Sequence, residues 1–110
     1  MKLEERNRSE AISEVFKALG HPSRVYIVEK LKEGEHCVCD LSEQIGADMS
    51  TVSRHLSVLK KAGIVTDRRE GTTVYYSLVC DCLGQMLKGV ENILRMRVET
   101  QNAVLTSLSR

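Results

Sequence analysis

Tryptophan is missing altogether, phenylalanine occurs once and tyrosine three times, so aromatics make up only 4% of this 110-residue chain. A core filled instead by Leu, Val, Ile and Ala suits packed helices better than a β-sandwich. A single Pro and seven Gly exclude collagen-like or low-complexity character. No window approaches the ~18 consecutive apolar residues of a membrane span, so no bilayer crossing and no membrane partner are expected. The opening residues Met1-Lys2-Leu3-Glu4-Glu5-Arg6 are charged and lack the apolar stretch of a secretory signal, which points to the cytoplasm. Neither a Cys-x-x-Cys motif, nor a Gly-rich phosphate loop, nor an acid/base constellation is present, so the sequence argues against an enzyme and against an organic cofactor.

An excess of one charge sign is also lacking: 16 Lys and Arg face 15 Asp and Glu, a net +1. The distribution is more telling. Between Arg54 and Arg69 the basic residues Arg54, Lys60, Lys61, Arg68 and Arg69 are opposed only by Asp67. A nearly neutral protein can carry a basic stripe on one face, and the stripe decides phosphate contact.

The length suits one domain over 1–110. Ala11, Val15, Ala18 and Leu19 form a helical stripe from Glu10 that stops at Gly20. Pro22 opens a second helix over Ser23–Lys32, with Val25, Val28 and Leu31 on one face. Cys37 stands where an N-cap would, before a helix from Val38 to Ile45 that Gly46 ends. Asp48 caps the next helix, Met49–Ala62, whose Val52, Leu56 and Leu59 share a face. Two short helices joined by a Gly-containing turn read as helix-turn-helix. Ile64-Val65-Thr66 and Thr72–Leu78 then flank the polar tip Asp67–Gly71, which reads as a basic β-hairpin. The last helix, Asp81 to about Ser107, carries a stripe through Leu83, Met86, Leu87, Val90 and Leu94 that exceeds the needs of one small domain. The fold class expected is mainly α with a small β-hairpin: a winged helix-turn-helix with N- and C-terminal dimerisation helices, forming a homodimer.

Opposite its apolar face, the helix from Met49 presents Ser50, Thr51, Ser53, Arg54 and His55. Small hydroxyls and a forked guanidinium can enter a major groove and reach base edges. Arg68 and Arg69 on the wing would meet backbone phosphates or the minor groove. Double-stranded DNA is therefore the partner this surface suits.

The four cysteines form two Cys-x-Cys pairs, Cys37/Cys39 and Cys80/Cys82. In a reducing compartment, metal binding or redox chemistry is a better reading than structural disulfides. A Cys-x-Cys disulfide closes a small strained ring, so oxidation is expected to need longer-range pairing. Residues i and i+2 of an ideal helix point roughly 200° apart, so two thiolates gripping one ion would have to unwind the first turn after Cys37. Whether the two pairs converge is open, because Cys80 runs away from Cys37 if the stretch at His36 pairs with the strand at Tyr76.

Phe16–Arg24, Thr51–Leu56, Leu59–Val65, Arg69-Glu70-Gly71 and Val74–Leu78 together resemble the ArsR/SmtB family of metal-sensing winged-helix repressors. The resemblance implies a homodimer that binds an operator and releases it when an inducer binds. Glu35-His36-Cys37-Val38-Cys39-Asp40-Leu41 resembles the family's thiolate sensor motif, although arsenic-sensing members carry a third cysteine where this chain has Ser42. The implied inducer is arsenite or another soft ion such as Cd, Pb or Zn, held by Cys37 and Cys39 with Cys80 and Cys82 as further candidate ligands. The competing reading is a repressor switched by thiol oxidation or persulfide.

Overall fold

The computed structural model describes residues 1–108. The chain order is α1 (Leu3–Leu19), α2 (Pro22–Leu31), β1 (His36–Cys37), α3 (Val38–Ile45), α4 (Met49–Lys61), β2 (Val65–Glu70), β3 (Thr73–Leu78) and α5 (Cys82–Leu108). One compact unit runs from Met1 to Cys80, and a second begins at Asp81.

In the first unit, α1 begins seven residues earlier than the apolar stripe predicts. Its start is set by polar chemistry: the Lys2 amide donates to Glu5 at 3.3 Å, and Glu4 and Glu5 lie in the first turn, where carboxylates favour the positive end of the helix. Helix α2 is capped by the His21 ring, whose Nδ1 accepts the Ser23 amide at 3.0 Å, with Pro22 at the first position. The helix-turn-helix has the boundaries the cap residues imply. Gly46, at φ 79°, closes α3 and donates to the Ser42 carbonyl at 2.9 Å, and Asp48 caps α4 by accepting the Thr51 amide at 2.7 Å.

Ile27, Val28, Leu41, Val52, Leu56 and Leu59 are completely buried. They come from α2, α3 and α4, so the core of this unit lies under the helix-turn-helix. Ile64 and Val65 join it from the start of the wing.

The wing is a three-stranded antiparallel sheet in the order β1-β3-β2. Val65 pairs with Leu78 and Glu70 with Thr73, while β1 pairs His36 with Tyr76 and Cys37 with Tyr75. The polar tip is shorter than the sequence implies. Asp67 to Glu70 belong to β2, and the turn is Gly71-Thr72, with Gly71 at φ 64°. Cross-strand pairing overrides the weak strand propensity of the Asp-Arg-Arg-Glu run.

The second unit is the 27-residue helix α5. Leu83 and Leu87 are buried, whereas Val90, Ile93, Leu94, Val98, Val104, Leu105 and Leu108 are exposed. At 100° per residue these seven fall on one side of the helix.

Truncating Leu56 to Ala should destabilise the first unit by about 2–5 kcal/mol, through lost burial and an unfilled cavity. Asp48→Ala should cost about 1 kcal/mol through the lost cap. Equilibrium denaturation in urea reads both, and equal losses would contradict this placement of the core.

Candidate DNA-reading face and thiol site

Because Val52, Leu56 and Leu59 anchor α4 to the core, its opposite side is fixed by periodicity. Ser50, Ser53, Arg54 and Ser57 are all exposed, and their i, i+3, i+4, i+7 spacing makes one stripe. Ser57 was not singled out by the sequence reading, although the helical period alone contains it. Thr51 and His55 are half-buried flank residues rather than members of the outward stripe.

His55 faces inward for an identifiable reason. Its Nδ1 lies 3.3 Å from Arg24 Nη1, and its ring centroid is 4.5 Å from that of His21. Arg24 also donates through Nε to the Ala18 carbonyl and through Nη2 to the Lys17 carbonyl at 3.4 Å. One guanidinium thus ties the end of α1, the start of α2 and the middle of α4 together. Burial, followed by the nearby charges of His21, Arg24 and Arg54, holds the His55 imidazole below its usual pKa.

On the wing the two arginines have different surroundings. Arg68 forks onto Glu35, with Nε–Oε2 at 2.9 Å and Nη2–Oε1 at 2.7 Å. Its Nη1 reaches Glu70 at 2.8 Å, and its guanidinium carbon lies 4.7 Å from the Tyr75 ring centroid. The hydrogen bonds from Arg68 hold the Glu35 carboxyl below its usual range. Arg68 is therefore already matched by two carboxylates and braces β2 against the residue preceding β1. Arg69 is exposed and forms no ion pair among the described residues.

The thiol site is built at the start of α3. Cys37 is its N-cap, with an extended backbone (φ −83°, ψ 163°), and its Sγ accepts the Asp40 amide at 3.3 Å. Cys37 and Cys39 are joined by a disulfide, with Cα atoms 5.4 Å apart. This corrects one expectation: the pair closes on itself rather than seeking a distant partner. The 200° argument applies to two helical residues, whereas Cys37 stands outside the helix and turns its sulfur back over the first turn. Both Sγ atoms and an Asp40 carboxylate oxygen lie within 4.8 Å of one another, with Cys37 buried and the other two exposed. Cys80 and Cys82 are not part of this group, and neither is a free thiol. Cys80 follows the Cys37 partner Tyr75 by five residues, about 16 Å of extended chain. A cavity of about 200 Å³ adjoins the pair, bordered by Cys37, Val38 and Cys39, by Met49 and Ser53 of α4, and by Thr72, Thr73 and Val74 at the wing turn.

A helix-turn-helix continued by a paired wing, with a polar, cationic outward face on its second helix, defines a winged helix-turn-helix regulator of transcription. The chain belongs to the ArsR family of bacterial regulatory proteins, as an ArsR-family transcriptional repressor. The family description "Bacterial regulatory protein, arsR family" matches residues 21–67. An uncharacterized HTH-type transcriptional regulator of Methanocaldococcus jannaschii is 41% identical over 76% of this chain and 96% of its own length. The arsenical resistance operon repressor of Escherichia coli is 34% identical over 88% of this chain and 84% of its own. A homolog of the cadmium resistance regulatory protein CadC from Staphylococcus aureus is 44% identical over 70% and 64%. Among solved structures, a homodimeric winged helix-turn-helix DNA-binding domain from Mycobacterium bovis superimposes with a TM-score of 0.79 at 27% identity, covering 91% of this chain and 93% of that one. No helix among the described residues is long and apolar enough to cross a membrane.

The His55 environment generates a pH dependence. The unfolded imidazole protonates near 6.5 and the folded one only at lower pH. Between the two values the unfolded state binds more protons, so stability falls as pH drops through that window. Denaturation midpoints measured at about pH 7.5 and about pH 5.5 should show a loss on acidification that is smaller in His55→Gln; equal losses would contradict the assignment.

Proposed function

We propose that this repressor works in the cytoplasm as a homodimer that holds a double-stranded DNA operator, and that it lets go when Cys37 and Cys39 bind arsenite or another thiophilic ion. One observation carries the reading: two sulfurs converge at the cap of α3 beside a cavity that α4 also borders. As a dithiol, the pair sits at the positive end of α3, which favours thiolates. Two thiolates fit arsenite, Cd or Pb better than hard ions, and the exposed Asp40 carboxylate adds an oxygen that Zn would also accept. The kinship with an arsenical resistance operon repressor and a cadmium resistance regulatory protein supports the same class of inducer.

The release mechanism follows from what Cys37 does without an inducer. Its sulfur accepts the Asp40 amide; an ion gripped by both sulfurs reorients the Cys37 side chain and pulls its sulfur out of line with that amide. The first turn of α3 loosens, and α4, packed against α3, loses its presentation. A coupling of ~1–3 kcal/mol would lower operator affinity from several-fold to about a hundredfold. Once reduced, Cys80 and Cys82 serve as secondary ligands.

Ser50, Thr51, Ser53 and Arg54 of α4 read the operator, with Ser57 extending the stripe, while Arg69 meets a phosphate. Arg68 and His55 act on DNA mainly by holding the wing and α4 in place. The apolar side of α5 suits a second copy of this chain, and the homodimeric Mycobacterium bovis structure supports that assembly. The two compact units then act as one DNA-binding domain with terminal dimerisation helices.

The disulfide favours a second reading, in which Cys37 and Cys39 give up two electrons and two protons to a peroxide or persulfide, and the oxidised form releases DNA. An operator-binding assay under reductant, with arsenite, Cd, Pb and Zn added in turn, separates the two. Release by an ion with reductant present selects the metal reading; release only by oxidant or sulfane sulfur selects the redox one.

Cys37→Ser and Cys39→Ser should bind operator yet keep it when arsenite is added, whereas Cys80→Ser and Cys82→Ser should weaken the response less. The reverse pattern would move the sensor to the second pair. For the wing, Arg69→Ala should lower the slope of log affinity against log salt by about one unit. Arg68→Ala should change it less, since Glu35 and Glu70 already neutralise that charge. Unchanged slopes in both would remove the wing from the interface.

A further inference from the structure

We propose that Met49 supplies a third sulfur to the thiol site, and that the reduced site takes a soft monovalent cation of the Cu(I) class. The proposal rests on the reading of Cys37 and Cys39 as inducer ligands and names the ion class their surroundings suit.

The cavity of about 200 Å³ is bordered by three sulfur-bearing residues, Cys37, Cys39 and Met49. It has room for an ion and a partial shell around it. Met49 is the first residue of α4 and is 53% exposed. It stands outside the buried core that Val52, Leu56 and Leu59 form, with about half of its surface open to solvent. Three rotatable bonds and a polarizable sulfur let such a chain adapt to a ligand at short range.

The donor chemistry discriminates between ions. Two thiolates and a neutral thioether make an all-sulfur set, which selects Cu(I) over harder divalent ions. Asp40 offers the alternative third donor, an exposed carboxylate oxygen, and a dithiolate–carboxylate set suits Zn or Cd instead. The two third donors stand on different elements, Asp40 on α3 and Met49 on α4. Ligation through Met49 would therefore draw directly on the reading helix, one turn before Ser53, which borders the same cavity.

The test uses the full-length protein, reduced and kept anaerobic, with Cu(I) in competition with bicinchoninate and Cd(II) titrated separately. Met49→Leu keeps the shape of the side chain and removes its sulfur. It should lower Cu(I) affinity about tenfold or more, since even groups that only support a metal ligand are worth that much, and should leave Cd(II) affinity near the wild-type value. Asp40→Asn should show the opposite preference. An unchanged Cu(I) affinity in Met49→Leu, or an equal loss for both ions, overturns the proposal. If the Cys37→Ser/Cys39→Ser double variant binds Cu(I) as tightly as wild type, the underlying thiol-site reading falls as well.

Discussion

Cys37 satisfies three demands with one residue. Its backbone pairs with Tyr75 and so attaches β1 to the wing. Its sulfur caps α3, and the same sulfur bonds to Cys39. The extended conformation makes these roles compatible, because a strand end and an N-cap need the same region of φ and ψ. Sheet, helix-turn-helix and thiol chemistry therefore meet at one buried position, and a change in the bonding of its sulfur is felt by both neighbouring elements.

Two polar clusters hold the reading surface from either side of that junction. At one end the Arg24 guanidinium gathers the carbonyl end of α1 and His55; at the other Arg68 links the wing to Glu35. Each connects segments about thirty residues apart in sequence. Neither is a large source of stability, since exposed ion pairs contribute little. Their value is geometric: forked guanidinium contacts fix orientation as well as distance. The candidate reading helix is held by the apolar core beneath it and steered by cations that are themselves occupied.

Local chemistry was legible in the sequence wherever it acts over a few residues. Cys37, Gly46 and Asp48 mark the limits of α3 and the start of α4, and the spacing of Val52, Leu56 and Leu59 identifies the buried face. What escaped depended on partners brought from afar. The engagement of Arg68 requires the registers of β2 on β3 and β3 on β1 before Glu35 comes within reach. The inward turn of His55 requires knowing that Arg24 packs on that flank of α4. The closure of Cys37 on Cys39 goes against the small-ring argument because Cys37, extended at the N-cap, brings its sulfur back over the first turn of α3. The extra turns of α1 were missed because polar capping, rather than an apolar stripe, defines its start.

The turn between α3 and α4 consists of Gly46, Ala47 and Asp48, and Ser42 binds it twice: its carbonyl accepts the Gly46 and Ala47 amides, and its hydroxyl donates to the Ala47 carbonyl. Ser42 is thus used to stiffen a joint. Stiffness turns α4 into a lever. From Met49 to Ser57 the helix rises about 12 Å, so a tilt of about 10° at the joint swings Ser57 by about 2 Å. Hydrogen bonds to base edges span only about half an ångström of useful range. A displacement too small to break any buried contact beneath the helix would still carry its far end out of register with the groove.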